Sequence, residues 1–230
     1  MIQIFFLTLL FATSAAQAFD RFSFNTAAGS REQQISADVS RFWQYGGSKL
    51  WFGLGVRGTS QWNSNQGYET APALLTTGQE GPQILFLSNK KNNIDDLRLQ
   101  NSQVTSLNAV FQILYQWTDN WGFGTNIDFI GGSFGKKQKA RYHAKKDDAN
   151  YPDEVSARPT PFNVLLISDN DRGSLNSEFY ALRNLGGGWG LKLAANFAFT
   201  EYTTTKRLRK NNDRFRRKSL LPSLGLTRDF

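Results

Sequence analysis

The chain has 230 residues, no cysteine and a formal net charge of +8. The lack of cysteine excludes a disulfide framework and thiolate metal sites. No stretch beyond the first 18 residues is long and apolar enough for a transmembrane helix, yet 14% of the chain is aromatic. Many aromatic residues in a hydrophilic chain suit strands that carry apolar side chains at alternate positions only.

The N-terminal segment MIQIFFLTLLFATSAAQA is an apolar run that closes on a small-x-small cleavage pattern. This arrangement is typical of a secretory signal peptide, and an uncleaved anchor is the alternative. We therefore predict a signal peptide over 1–18 and a single exported domain over 19–230.

Segments with a period of two follow in chain order, and this period predicts β-strands. A weakly alternating first strand at 19–27, followed by turn-forming Gly29 and Ser30, precedes a strand near 32–43. The remaining patterned segments are LWFGLGVRG (50–58), SQVTSLNAVFQILYQW (102–117), GFGTNIDFI (122–130), SLNSEFYALRN (174–184), WGLKLAANFAFT (189–200) and the final residues 220–230. Most are roughly 9–12 residues long, the length with which a tilted strand crosses a bilayer.

The connections differ in length. Three short ones, at 44–48, 118–121 and 186–188, have hairpin-turn composition. Three long ones, at 63–101, 136–173 and 206–219, are rich in polar residues, glycine and proline. Short turns on one side and long loops on the other are typical of outer-membrane barrels. The sequence therefore predicts an all-β fold: an eight-stranded antiparallel transmembrane up-and-down β-barrel with short periplasmic turns and long outer loops.

The C-terminal sequence LPSLGLTRDF alternates and ends on Phe230. It resembles the C-terminal signature of bacterial outer-membrane proteins, which implies that Phe230 is read by the barrel-assembly machinery. In architecture the chain looks like the small OmpA/OmpX-type barrels. The segments NIDFIGGSFGKKQ, SLNSEFYALRN and NNDRFRRKSLLPSLGL resemble a family of outer-membrane barrels from Bacteroidota. That resemblance implies a Gram-negative outer membrane as the location and no particular activity.

With the aromatic face turned outward, polar residues must occupy the lumen. An eight-stranded barrel is only wide enough for side chains to fill it, so charges there must pair. A salt-bridged plug is one interpretation, and a proton or ion path or a narrow channel is another. The predicted lumen network comprises Asp38, Arg57, Asp128, Glu178 and Lys192 with Asn108, Gln112, Asn126, Asn176 and Asn196. Three acids face two bases, so one carboxylate is left over or pairs with Lys49 or Arg41.

A lipid-modifying enzyme is the third functional class considered. Such chemistry requires a base near a nucleophile, and the one histidine, His143, lies in a basic loop. Carboxylate pairs such as Asp147 with Asp148 or Asp169 with Asp171 are more typical of turns or weak Ca²⁺ ligands. We therefore predict no enzymatic activity, no cofactor and no metal.

Two predicted outer loops are strongly basic. Such side chains form charge-assisted bonds with the phosphates of lipopolysaccharide, and an external polyanion is a second possible partner. We do not expect a nucleic-acid partner for an exported barrel, and we expect the protein to be a monomer. The predicted anion-binding residues are Lys136, Lys137, Lys139, Arg141, Lys206, Arg207, Arg209, Lys210, Arg214, Arg216, Arg217 and Lys218.

The loop 63–101 is nearly neutral and contains the apolar run ILFL at 84–87. We predict that it extends a hairpin above the membrane or folds inward as a lid.

Overall fold

The structure is a computed structural model that describes residues 17–77, 91–145, 151–166 and 171–230. Eleven strands in these residues form one antiparallel sheet. They are β1 (Ala18–Gly29), β2 (Glu32–Gln44), β3 (Leu50–Thr70), β4 (Asp96–Gln116), β5 (Trp121–Phe134), β6 (Gln138–His143), β7 (Glu154–Pro159), β8 (Phe162–Val164), β9 (Leu175–Gly186), β10 (Trp189–Thr204) and β11 (Arg214–Asp229). A short helix, α1 (Ala73–Thr76), and 3-10 turns at Lys91–Asn93 and Arg209–Asn211 are also present. No helix in the described ranges is long and apolar enough to cross a membrane.

Eight of these strands close into a ring, which we call the main ring. The order of pairing is β1, β2, β3, β4, β5, β9, β10, β11 and back to β1. In the closing pair Phe24 lies opposite Leu226. The sequence expectation of eight ring strands, including the weak first strand, is confirmed.

Side chains of the main ring alternate between an apolar outer surface and a polar interior. In β1, Phe22 and Phe24 point outward, whereas Ser23 and Asn25 are buried. The other strands follow the same rule, with exposed Ile35, Val39, Leu54, Val56, Leu107, Phe123, Ile130, Phe179, Leu193, Phe197, Leu220 and Leu224. This distribution is the reverse of that in water-soluble domains, where large apolar side chains fill the core.

The two ends of the main ring differ. The connections 45–49, 117–120 and 187–188 lie at one end together with Phe230, and we call this the turn end. At the other end, the loop end, lie the turn 30–31, the connection 205–213 and the described parts of the connections 71–95 and 135–174. The termini of the ring meet at the turn end, where the Phe230 amide donates to the Asp20 carbonyl at 2.8 Å.

The three long connections predicted from the sequence contain more strand than expected. Strands β3 and β4 extend as a hairpin to the Glu69–Asp96 pair, as one of the two alternatives for 63–101 predicts. Strands β6, β7 and β8 lie inside the predicted loop 136–173, and β11 begins at Arg214 inside 206–219. The apolar run at 84–87 lies outside the described residues.

These extensions close a second, smaller ring above the first, which we call the cap. Its pairing order is β3, β4, β6, β7, β10, β11 and back to β3. The closing contact places Phe215 opposite Thr70. The number of strands falls from eight to six because β1 and β2 end below the cap. Strands β6 and β7 take the places of β5 and β9, which leaves the number unchanged. The short strand β8 pairs with β5 at Ile130–Gly132, where β5 has left β9.

The interior of the cap is apolar, unlike that of the main ring. Buried residues from all six strands and the β10–β11 loop pack together there: Tyr68, Leu97, Leu99, Val104, Ala140, Tyr142, Val155, Ala157, Tyr202, Leu208 and Phe215. In β3 the inward-facing positions shift by one residue at Asn65, which has a φ angle of 49°. Before it Asn63 is buried, and after it Tyr68 is buried. Asparagine tolerates this left-handed conformation better than most residues.

Candidate functional site

Arg57 is the centre of a buried ion-pair network inside the main ring. Its Nη2 lies 2.9 Å from Asp128 Oδ1 and its Nη1 lies 3.5 Å from Glu178 Oε2. Arg57 Nη2 also donates to Asn126 Oδ1 at 2.9 Å. Lys192 Nζ donates to Glu178 Oε2 at 2.7 Å. Since the three ionic groups Arg57, Asp128 and Glu178 have 0% exposed side chains, their charges are compensated within the protein.

Asp128 connects this network to the loop end. Asn108 Nδ2 donates to Asp128 Oδ2 at 2.8 Å, and the Asn176 backbone N–H donates to the same oxygen at 3.0 Å. Asn108 Oδ1 in turn accepts from Asn163 Nδ2 at 2.7 Å. Asn163 Oδ1 accepts from the Ser174 backbone N–H. The segment that contains β8 is thereby held over the interior by side-chain amides.

Asp38 is the third acid that the sequence places inside the ring, and it is 2% exposed. Its Oδ2 accepts hydrogen bonds from Gln112 Nε2 at 3.1 Å and from Ser23 and Ser40 hydroxyls at 3.3 Å each. Neutral donors therefore solvate this carboxylate, and no cation among the described residues lies within 4.0 Å of it.

The suggested pairing of this leftover acid with Lys49 or Arg41 is wrong. Lys49 Nζ donates to the Trp117 carbonyl at 2.9 Å, at the turn end. Arg41 points outward and approaches exposed Asp20 at 3.9 Å. Arg41 lies outside the ring because its position on β2 belongs to the outward face. Lys49 lies in the connection before β3, beyond the end of the interior.

The remaining predicted interior amides are also enclosed. Asn176 Nδ2 donates to Thr59 Oγ1 at 2.9 Å. Asn196 is 0% exposed, and neither polar atom of its side chain has a hydrogen-bond partner among the described residues. Asn25 on β1 is in the same situation. The hydrogen-bonded network is thus densest on the β3–β4–β5–β9 side of the interior.

The interior of the main ring is closed by apolar side chains at the turn end. The cluster there consists of Phe42, Leu114, Tyr180 and Leu182, with partly buried Phe19 and Trp51 packed against it. Arg21 covers the ring of Phe42 at 5.2 Å and pairs with Asp229 at 2.5 Å. The apolar core of the cap lies at the other end. The charged network is therefore enclosed between two apolar clusters, neither of which the sequence interpretation included.

Four cations of the predicted anion-binding set, all within 206–219, are paired with acids of the protein. Arg209 lies 2.5 Å from Asp95. Arg214 and Arg216 both bind Glu201, at 2.8 and 2.9 Å. Arg217 lies 3.2 Å from Glu32. The sequence interpretation counted only the acid within 206–219, whereas these counterions come from β2, β10 and the segment before β4. Binding of an external anion by these four cations stays a prediction.

The Arg209 contact also anchors two loops of the cap to each other. Asp95 accepts from both Arg209 and the Tyr142 hydroxyl, the latter at 2.9 Å. Hydrogen bonding to Asp95 raises the pKa of Arg209, so the arginine stays charged. Burial, together with hydrogen bonding to Asp95, raises the pKa of Tyr142. The hydroxyl of Tyr142 therefore remains a donor to well above neutral pH.

The other predicted cations are exposed at the loop end. These are Lys136, Lys137, Lys139, Arg141, Lys206, Arg207, Lys210 and Lys218. Two of them face one acid on the neighbouring strand: Lys139 pairs with Glu154 at 2.7 Å, and Arg141 lies opposite the same residue. The loop-end surface thus has mixed charge near β6 and β7.

The residues considered for catalysis are not brought together in the described part of the chain. His143 is exposed at the end of β6, opposite Asp96. Asp147, Asp148 and Asp169 lie outside the described residues, and Asp171 accepts from the Leu166 backbone N–H. No group of three or more metal-ligating side chains occurs among the described residues.

Comparison with solved structures gives alignments over most of the chain, at very low sequence identity and low TM-scores. No protein-family model and no curated protein matches the sequence. Neisserial surface protein A aligns over 94% of this chain and 100% of its own, at 9% identity and a TM-score of 0.38. Ail, the attachment invasion locus protein of Yersinia pestis, solved with the heparin analogue sucrose octasulfate, aligns over 93% and 95% at 10% identity and a TM-score of 0.31.

A FadL homologue from Pseudomonas aeruginosa aligns over 86% of this chain and 68% of its own, at 12% identity and a TM-score of 0.27. Because the TM-scores are low, we transfer no property from these structures to this chain. Membership of a Bacteroidota family stays a prediction.

Proposed function

We propose that the chain is an integral β-barrel of a Gram-negative outer membrane, with a sealed interior and a structural role. The observation that carries this proposal is the apolar outer surface of the main ring. Leu220, Phe179 and Val39 are 61%, 60% and 59% exposed, whereas Arg57 and Asp128 are fully buried. Water would strongly disfavour this arrangement, and hydrocarbon favours it, provided that every backbone edge is paired.

Aromatic residues at the turn end support the same proposal. They form a belt of exposed rings where the ring strands begin and end: Trp43, Tyr45, Tyr115, Trp117, Trp121 and Trp189. Tryptophan and tyrosine are enriched at the levels where hydrocarbon meets headgroups. The turn end then lies on the periplasmic side and the cap outside the cell, where its apolar core is protected from water by closure of the six strands.

The sealed interior disfavours the alternative of a narrow channel. An ion would have to pass the apolar cluster around Phe42 and Leu114, then the Arg57 network, and finally the core of the cap. We expect no unitary conductance above noise in planar bilayers, for the natural chain or for Asp128→Ala. Discrete openings that disappear in a variant with a bulkier turn-end cluster would favour the channel instead.

We propose a non-enzymatic role in membrane integrity, in which the chain associates with lipopolysaccharide as a monomer. The exposed cations of the loop end carry this part of the proposal, since they lie where outer-leaflet phosphates would be, and ammonium and guanidinium groups bind phosphate well. An external polyanion is a second ligand for the same surface. The barrel-assembly machinery is the expected partner of Phe230, which is exposed at the turn end.

The membrane proposal is tested by purification with and without detergent. We expect the folded chain to require detergent or lipid, to show β-type circular dichroism, and to migrate differently on electrophoresis before and after boiling. A monomeric, folded chain in plain buffer would refute the proposal. Mass spectrometry of lipid A from cells with and without the protein should show no change, and a new modification would refute the non-enzymatic role.

A further inference from the structure

A pocket of about 590 Å³ lies on the outside of the wall at the loop end. It is bounded by the β1–β2 turn, by the outward faces of β2, β3 and β4 where they leave the main ring, and by the segment that joins β5 to β6. Its lining is polar and cationic with one large aromatic residue: Gly29, Arg31, Glu32, Gln33, Trp62, Asn63, Ser64, Asn101, Ser102, Gln103, Lys136, Lys137 and Gln138.

The pocket carries excess positive charge. Arg31, Lys136 and Lys137 form no ion pair within the described ranges. Its one acid, Glu32, is 2% exposed and accepts from Arg217 and other donors on the interior side. Three cations therefore face solvent in one concave site without a local counterion, and such a site favours an anion.

The backbone at Arg31 gives an independent indication. This residue has φ 63 in a two-residue connection between β1 and β2. Glycine or asparagine occupies this conformation at lower cost than arginine. Folding alone does not explain an arginine here, because the turn is held by main-chain contacts, such as the Ser64 amide to the Arg31 carbonyl at 2.9 Å. Strain of this kind is typical of functional positions.

The lining also suits a hydroxyl-rich headgroup. Besides the cations, the lining presents exposed amide and hydroxyl side chains, those of Gln33, Ser64, Asn101 and Gln103. Trp62 is 38% exposed and offers a flat apolar face. Below the pocket the wall becomes apolar at once, with exposed Ile35, Leu107 and Phe134. One ligand that matches both the cationic, polar pocket and the apolar wall below it is an amphiphile with a phosphorylated sugar headgroup and acyl chains.

We propose that this pocket binds the phosphorylated sugar headgroup of an acylated glycolipid in the outer leaflet. Arg31, Lys136 and Lys137 contact its phosphate, the neighbouring amides contact its hydroxyls, and its acyl chains lie along Ile35 and Leu107. The inference rests on the proposed membrane location, and it adds one defined site to an otherwise diffuse association with lipopolysaccharide.

The test compares two triple variants in zwitterionic detergent micelles. The pocket variant is Arg31→Asn, Lys136→Gln and Lys137→Gln; asparagine is chosen because it tolerates positive φ. The control variant is Arg98→Gln, Arg158→Gln and Arg172→Gln, which removes the same charge from exposed loop-end positions that neither line the pocket nor belong to the predicted anion-binding set. Binding of bisphosphorylated lipid A is measured by native mass spectrometry and by titration. Heat-modifiable electrophoresis verifies that each variant is folded.

We expect saturable binding of one lipid A molecule to the natural chain. The pocket variant should bind it about tenfold more weakly or worse, and the control variant less than about threefold more weakly. Dephosphorylated lipid A and phosphatidylglycerol should bind more weakly than lipid A, since each lacks one half of the recognised headgroup.

Three results would overturn the inference. Equal loss in both triple variants would reject the defined site and leave the diffuse association of the proposed function intact. Inorganic phosphate that binds as tightly as lipid A would reject a glycolipid as the ligand. Unchanged binding in both variants would reject the site and the cationic association together, without touching the evidence for a membrane barrel.

Discussion

Arg57→Met is the substitution whose effect is best defined by the structure. Methionine fills most of the volume of the arginine side chain but removes its charge and donors. Asp128 then keeps only two neutral donors, Asn108 and the Asn176 amide. Glu178 keeps Lys192 at 2.7 Å. The main consequence is therefore one fully buried carboxylate without a cation.

Removing one member of a buried ion pair typically costs about 3–5 kcal/mol, because the remaining charge is desolvated without compensation. Since two donors to Asp128 remain, we expect a loss of about 3 kcal/mol in the free energy of unfolding. Adding Asp128→Asn to Arg57→Met removes the uncompensated charge. The double variant should therefore be more stable than Arg57→Met alone, with strong non-additivity in the double-mutant cycle.

The assay is reversible urea or guanidinium unfolding in detergent or lipid vesicles, followed by tryptophan fluorescence. The matched control is Arg41→Met, which disrupts an exposed pair with a separation of 3.9 Å and should cost about 0.5 kcal/mol or less. If Arg57→Met costs no more than Arg41→Met, or if the two substitutions in the cycle are additive, the network does not stabilise the ring in the way described.

Three further predictions concern the cap. Phe215→Ala deletes a fully buried aromatic ring that contacts Tyr142 and should lower the stability of the cap by about 3–5 kcal/mol. The rate of amide hydrogen exchange should rise in the cap and not in the main ring. An equal rise in both rings would contradict this prediction. Burial and the contact with Asp95 raise the pKa of Tyr142. The stabilisation by its hydroxyl is therefore fully present below the ordinary tyrosine pKa of about 10 and is lost as the pH rises above that value. In Tyr142→Phe, the protection of cap amides from exchange should fall less at alkaline pH, and an unchanged pH profile would refute the assignment. Asn65→Val should cost about 1–2 kcal/mol because of its positive φ, whereas Asn65→Gly should be close to neutral, and equal stability of the two would refute the role of the backbone conformation.

Alternation of apolar and polar residues was enough to predict the main ring. This prediction requires only local information, since the alternation along about ten residues identifies the two faces of a strand. The same pattern sorted the side chains, and the structure buries Asp38, Arg57, Asp128, Glu178 and Lys192 inside the ring. Which of these form ion pairs was not predictable, because Arg57 and Glu178 are brought together by register across several strands.

The cap could not be predicted because it also depends on pairing between strands that are distant in sequence. Strands β6 and β7 are six residues each, and their polar outward residues made the whole segment look like a basic loop. The sequence analysis assigned residues 138–143 to a basic loop, although they alternate and Ala140 and Tyr142 are buried in the cap. Likewise Arg216 and Arg217 looked like free cations because Glu201 and Glu32 are remote from them in sequence or across a strand pair.

Strand β11 belongs to both closed rings. Its residues Ser223–Asp229 complete the lower one against β1, and Phe215 and Arg216 complete the upper one against β3. Truncated or stalled chains that lack this strand can therefore display neither closure. On the proposed topology, with the cap outside the cell, an antibody specific for the closed upper ring would therefore distinguish mature copies from arrested intermediates on intact cells.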